Sequence, residues 1–310
     1  MYLCFVLFLT GKTECGKEAN DCKHRRRQKK MIQSMTLIDA FKDTQRKCRE
    51  YAELRMATTK MQAKTLLYLR EFDAVDPKEK SREPNVEICE DTTFHCARRL
   101  MGEIVPDHSE KQYLRTAVLN FANAYSPGGG VTIGAMAQEE CLCRSSNLYS
   151  ALTLPYLLRN YYKLNAKYTG DMGTDAVIWS PGVTVFKTDA PVPEEMRRED
   201  WFQVDVLTCA APYYDKNKKH PVSQEKLWDV FYHRIRNILE VAMSNDTDIL
   251  VLGAFGCGAF HNPPDLVADV CRELLLDKGY YRYFRKIAFA IKKNDSANTN
   301  LEAFEKAFQR

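Results

Sequence analysis

Two adjacent carboxylates, Glu139 and Glu140, follow shortly after three consecutive glycines, Gly128, Gly129 and Gly130. Glycines carry no Cβ, so their N–H groups approach a ligand closely and tolerate positive φ, which makes an anion-holding concavity. A helix beginning beyond them adds its positive N-terminal end, which favours a phosphate. Asn120 and Asn123 stand just upstream, and their amides suit sugar hydroxyls. Phosphate, ribose and a proton donor together point to a nucleotide-sugar substrate.

Two commoner phosphate sites are absent. The triplet lacks the G-x-G-x-x-G spacing of a dinucleotide fold, and no G-x-x-x-x-G-K-[ST] occurs. A glycine triplet alone reads as a flexible turn, and Gln138-Glu139-Glu140 alone as a solvated helix face. Their order along one strand, loop and helix carries the chemical reading.

The blocks that hold these residues resemble a family. Gly-Gly-Gly-Val at 128–131 is followed at a fixed distance by Gln138-Glu139-Glu140, then by Cys-Leu-Cys-Arg-Ser-Ser-Asn-Leu-Tyr at 141–149. Leu-Thr-Cys-Ala-Ala-Pro-Tyr stands at 207–213 and Gly-Ala-Phe-Gly-Cys-Gly-Ala-Phe-His-Asn-Pro at 253–263. In this order they resemble the macrodomain-type poly(ADP-ribose) glycohydrolases, in their short bacterial and fungal form, from about residue 86 to the C-terminus.

The resemblance implies ADP-ribose as ligand, with no metal and no cofactor. It implies that Asn123 bonds the distal ribose and that Gly128, Gly129 and Gly130 approach ribose and diphosphate, with Val131 and Gln138 in the same binding set. The loop at 253–258 would grip the diphosphate, so Gly256, Cys257, Gly258 and Ala259 are binding residues, and Phe260 packs near the distal ribose. Glu140 matches the catalytic acid and Glu139 the neighbour that positions ribose hydroxyls. Glycosidic cleavage passes through an oxocarbenium-like transition state and needs its leaving oxygen protonated. A glutamic acid raised by burial can donate that proton and then accept one from water. Adjacent helical residues point about 100° apart, so one acid must serve both transfers. His261 departs from the family, where a small residue is expected, and Asp91 is a weak candidate for the adenine contact.

The implied function is release of ADP-ribose from poly(ADP-ribose). Removal of single ADP-ribose groups from proteins and non-catalytic ADP-ribose binding are the alternatives. The acids favour an enzyme, because a reader needs the glycines but not Glu140. The implied partners are poly(ADP-ribose) or ADP-ribosylated proteins, with ADP-ribose as product, no membrane and no direct DNA contact, for a monomer in the cytoplasm or nucleus.

The elements that position these residues alternate. Strands are expected at 85–89, 116–121, 202–208, 248–252 and 287–291, with helices at about 93–101, 224–243, 266–277 and 300–308, and a further helical piece at 155–162. Residues 176–180 and 183–186 read as a hairpin or two successive strands separated by Pro181-Gly182. This pattern predicts an α/β fold, a three-layer α/β/α macrodomain-like sandwich with a mixed central sheet. Both glycine blocks follow strands, so they should converge on one cleft at the carboxyl ends. Residues 37–72 have helical composition. The expected organisation is a disordered basic segment at 1–35, a helical extension and polar linker at 36–84, and a catalytic domain at 85–310.

The formal charge is +4, but the first 30 residues carry eight Lys and Arg against three acids, which leaves the remainder at −1. The body offers no electrostatic case for nucleic acid. Residues 1–10 are apolar but lack a preceding positive charge and a following Ala-x-Ala site, unlike a secretory signal. The basic run at 25–30 suits a nuclear-localisation patch or a solvated arm. No stretch approaches the ~20 apolar residues that span a bilayer. Eleven cysteines are an odd number spread along the chain, and Cys89, Cys96, Cys209, Cys257 and Cys271 sit in apolar or motif contexts that read as reduced thiols. Cys141 and Cys143 lack partners at zinc spacing.

Overall fold

The computed structural model describes residues 33–69, 78–103, 114–167, 172–214, 217, 222–293 and 299–309. The apolar start and the basic run fall at 1–32, outside the described residues.

Among the described residues seven strands form one mixed sheet: β1 (Leu66–Tyr68), β2 (Val86–Cys89), β3 (Thr116–Phe121), β4 (Val177–Val185), β5 (Phe202–Cys209), β6 (Ile249–Leu252) and β7 (Lys286–Ala290). Their order is β1-β4-β5-β3-β6-β7-β2. From β5 to β2 the neighbours are parallel, while β4 runs antiparallel to β5 and β1 antiparallel to β4. Around the sheet lie α1 (residues 33–50), α2 (Ala52–Lys64), α3 (Thr93–Glu103), α4 (Gln138–Ser145), α5 (Leu148–Leu152), α6 (Pro155–Leu157), α7 (Lys163–Lys167), α8 (Gln224–Ser244), α9 (Pro264–Arg272) and α10 (Thr299–Phe308).

The apolar strands alternate between two cores, as a side-chain period of two requires. Ala117 and Leu119, Leu250 and Leu252, and Ile287 and Phe289 pack with Phe231 of α8, Val267 of α9 and Phe304 of α10. Val118, Ile249, Val251 and Ala288 face the other way, onto Phe94 of α3, Leu142 of α4 and Leu148 of α5. Both faces are covered, which is why these strands read as continuous apolar runs.

Two expectations need correction. Residues 176–186 form neither a hairpin nor two strands but the single strand β4, whose pairing with β5 shifts register between Ser180 and Val183. Gly182 takes φ 69° there and its N–H donates to Asp205 Oδ1 at 2.7 Å, so the Pro-Gly pair makes a bulge instead of a turn. The helical reading of 37–72 fails at its end. The chain leaves α2 after Lys64, and Leu66, Leu67 and Tyr68 pair with Trp179, Ile178 and Val177 as an edge strand. Three apolar residues carry no periodicity, so sheet pairing decides their state.

The extension is tied to the rest of the molecule. Thr44 Oγ1 donates to Arg144 O at 2.5 Å, which fixes α1 against α4. Lys47 pairs with Glu195 at 2.5 Å, and Lys187 with Asp43 at 2.8 Å. In the stretch expected as a linker, Lys80 Nζ reaches Thr247 O at 2.7 Å and Asp248 at 3.2 Å.

Candidate active site

The site is assembled where β3 ends and α4 begins. Gln138, first residue of α4, accepts from Phe121 N–H at 2.9 Å and donates to Leu119 O at 2.7 Å and Thr93 Oγ1 at 3.0 Å. Its amide thereby continues the β3 hydrogen-bonding edge and clamps the helix start to the strand end. Gln138 was expected to bind substrate; it lines the cleft, and its amide is engaged with the protein.

The two acids that follow are both buried, Glu139 at 2% and Glu140 at 6% exposure, and they differ in their partners. Glu139 accepts the Asn123 N–H at 2.7 Å on one oxygen and the Asn120 amide at 3.4 Å on the other. Burial pushes its carboxyl up to about 8; the Asn123 N–H and the Asn120 amide hold it down, and the neighbouring Glu140 charge adds to the rise. Glu140 Oε1 accepts the Gly130 N–H at 2.8 Å, while its Oε2 is buried with no hydrogen-bond partner among the described residues. One carboxyl is fully held and the other keeps an oxygen available.

The glycine triplet is built around this pair. Gly129 N–H bonds Ser126 O at 3.0 Å and Gly130 N–H bonds Glu140 Oε1 at 2.8 Å. At Gly129, with φ 56°, a Cβ would collide with Glu140 Oε1 and lie 3.2 Å from Glu139 Oε2. Of the three N–H groups, that of Gly130 is the one hydrogen-bonded to a carboxyl group, Glu140. Asn120, read from sequence as a sugar contact, is fully buried and donates to Thr208 Oγ1 at 3.2 Å as well as to Glu139. It positions an acid. Asn123 lines the cleft, and its Oδ1 accepts from Tyr125 and Ser126 N–H groups, which shapes the turn.

The second glycine loop, at 253–260, follows β6, the parallel neighbour of β3. Asn262 anchors it: its amide donates to Pro212 O at 2.8 Å and Gly256 O at 2.9 Å. Gly256 takes φ 77°, and a Cβ there would lie 2.5 Å from Ala211 Cβ. The N–H groups of Cys257 and His261 close turns within the loop. Those of Gly256, Gly258, Ala259 and Phe260 carry no hydrogen bond among the described residues.

The two loops meet across a cavity of about 560 Å³, a volume suited to a cofactor-sized ligand. It is lined by Asn123, Gln138, Glu139, Glu140, Gly256, Gly258, Ala259 and Phe260 among the expected residues. Gly128, Gly129, Gly130, the fully buried Val131 and Cys257 are not among the lining residues, and burial pushes the Cys257 thiol up to about 12. Phe260 packs edge-on against Tyr213 at 6.1 Å between centroids. His261 takes φ 58° with its ring against Tyr213, outside the lining. Asp91 lies in the wall beside Thr92 and Thr93.

Several lining residues escaped the sequence reading: Phe121, Met136, Ala211, Lys292, Asn300 and the loop at 189–191. Phe121 ends β3, and Ala211 and Lys292 stand just beyond the carboxyl ends of β5 and β7, so that rule alone could have found them. The loop at 189–191 carried no signal.

A family model described as "Microbial-type PARG, catalytic domain" matches residues 33–188. No curated protein matches the chain. Among solved structures, the chain is similar to poly(ADP-ribose) glycohydrolase from Deinococcus radiodurans in complex with ADP-ribose, at 33% identity and TM-score 0.70, covering 81% of this chain and 97% of that one. It is also similar to poly(ADP-ribose) glycohydrolase from Thermomonospora curvata, at 29% identity and TM-score 0.70, over 89% of this chain and 99% of that one. The Thermomonospora enzyme bound to the inhibitor ADP-HPD matches at 30% identity and TM-score 0.71, over 89% and 98%.

Proposed function

The chain belongs to the microbial-type poly(ADP-ribose) glycohydrolase family, and from that premise we propose that it hydrolyses ribose–ribose O-glycosidic bonds of poly(ADP-ribose), with Glu140 as its acid and base. The observation that carries this assignment is the unequal bonding of the two acids. Glu139 has donors on both oxygens, whereas Glu140 Oε2 has none among the described residues and Glu140 lines the cavity.

The terminal ADP-ribose unit occupies the cleft, with its diphosphate against the unengaged N–H groups of the second loop. Its distal ribose lies between Phe260 and the acids. Glu140 donates a proton to the leaving ribose oxygen as the glycosidic bond breaks, and its carboxylate then takes a proton from the attacking water. Burial keeps Glu139 protonated near neutral pH. A neutral Glu139 can also donate to a ribose hydroxyl.

We assign the catalytic and binding residues to 85–310, with 36–84 as an extension that adds the edge strand β1 to the same sheet and braces α4 through Thr44. We take the protein to act as a monomer in the cytoplasm or nucleus without contacting DNA, in keeping with the near-neutral body of the chain. Among the described residues no helix is long and apolar enough to cross a membrane.

The test is release of ADP-ribose from purified poly(ADP-ribose), with ADP-ribose affinity measured by calorimetry. Glu140→Gln should cut release by on the order of 10³-fold, within the range of general acid–base catalysis, and leave affinity nearly unchanged. Binding by the wild type without release would overturn the reading.

A further inference from the structure

We propose that Cys89 and Cys96 form a reversible dithiol–disulfide pair that governs the cleft wall. Cys89 ends β2 and is half-buried; Cys96, in the first turns of α3, is fully buried. Their sulfurs lie 3.8 Å apart, in contact, and Arg99 Nη2 lies 3.8 Å from each. The Cys96 thiol hydrogen bond is the largest influence and favours a thiolate on the more exposed Cys89, against burial and the Glu87 and Asp91 charges and with a smaller contribution from the guanidinium; the same bond pushes Cys96 up in turn. Cys209 and Cys271 are buried, and neither has a hydrogen bond to a second sulfur among the described residues. Asp91 brings a carboxylate oxygen within 4.8 Å of the two sulfurs, a set that could hold a metal ion. The Arg99 charge against both sulfurs opposes a divalent cation and favours the redox pair.

With a peroxide as oxidant the step balances. The Cys89 thiolate attacks one peroxide oxygen and the O–O bond breaks; the departing hydroxide takes a proton and leaves as water, with a sulfenic acid on Cys89. The Cys96 sulfur attacks that sulfenic sulfur, the S–S bond forms, the S–O bond breaks, and the hydroxyl leaves with the Cys96 proton as a second water. Two sulfur electrons have reduced the peroxide, and a dithiol reverses the step by exchange.

The bond reaches the site through the backbone. A disulfide spans about 2.05 Å, so the sulfurs must close by roughly 1.8 Å from their 3.8 Å contact. Between the two cysteines lie Asp91, Thr92 and Thr93, all in the cleft wall, and Thr93 holds the Gln138 amide one residue from Glu139. Closure therefore draws on the clamp that seats both acids. This coupling rests on the glycohydrolase reading, whereas formation of the bond does not.

The test treats the full chain with hydrogen peroxide, alkylates the remaining thiols, cleaves at Glu90 and maps the products by mass. We expect the Cys89 and Cys96 segments joined and lighter by two hydrogens, and separated again by dithiothreitol. Release of ADP-ribose should fall by about tenfold or more in the oxidised protein, since displacements near 1 Å in a catalytic constellation cost up to about 10²-fold, and recover on reduction. Cys96→Ser should keep its activity through the same treatment. Separate segments after oxidation, a stoichiometric zinc lost on Cys96→Ser, equal inactivation of Cys96→Ser, or a disulfide that leaves release unchanged would each overturn the proposal. An inert reduced wild type would instead count against the glycohydrolase reading, with the mass map still judging the bond.

Discussion

The two glycine loops use the same residue for opposite ends. In the loop after β3, the Asn123 and Gly130 N–H groups turn inward and hold the carboxyl groups of Glu139 and Glu140. In the loop after β6, Asn262 holds the backbone from behind, and four N–H groups remain unengaged among the described residues. The first loop is a mould for two acids and the second a cradle open to an anion. A glycine run therefore does not say which side of it carries the ligand. The partner of each N–H does.

The sharpest way to break this contrast is to give the mould a Cβ. Gly129→Ala places a methyl on Glu140 Oε1 at a backbone φ of 56°, and displacing the acid should lower turnover by on the order of 10²-fold with ADP-ribose affinity reduced far less. Steady-state kinetics and calorimetry separate the two effects, and an equal loss in both would mean that the triplet contacts ligand directly. Gly256→Ala is the matching insult to the cradle. Left-handed backbone and the 2.5 Å approach to Ala211 should cost about 1–3 kcal/mol of strain, read as weaker ADP-ribose binding by about tenfold, with turnover at saturation retained.

The held acid makes a pH prediction. The Glu139 carboxyl is raised from its ordinary 4.5 to about 8, so between those values the folded protein keeps a proton that the unfolded chain has released. Stability conferred by that proton is complete below pH 4.5 and declines as pH rises toward 8, by up to about 1.4 kcal/mol per pH unit. Glu139→Gln should flatten the decline in urea-unfolding series at pH 5, 6, 7 and 8. Parallel curves for the two proteins would place the retained proton elsewhere. The smallest effect belongs to Gly258, where a Cβ meets nothing within 4 Å. Gly258→Ala should change stability by under about 0.5 kcal/mol, as surface substitutions usually do, and ADP-ribose affinity by less than about threefold.

Much of the fold was legible because its signals are local. Strand β3, the helix carrying the acids and the buried strand β6 follow from periodicity and turn residues within a dozen positions. β1 was not, because three residues at a helix end acquire their strand character only from Trp179, Ile178 and Val177 across the sheet. The expected boundary at 84/85 likewise falls between β1 and β2, two strands of one sheet.

The site divides along the same line. Order and spacing in the chain determined that glycines, Gln138 and two adjacent acids would be neighbours, since residues close in sequence cannot be far apart in space. They also determined that Glu139 and Glu140 would face different surroundings, as one helical step turns them by about 100°. Tertiary structure alone decided which acid would be held and which left an oxygen available. That outcome depends on Asn120 at the end of β3, on the Gln138 clamp to Thr93 from another helix, and on burial under the loops. Hydrogen-bond partners and desolvation are set by what folds against a residue, and no window of sequence around Glu139 contains those neighbours.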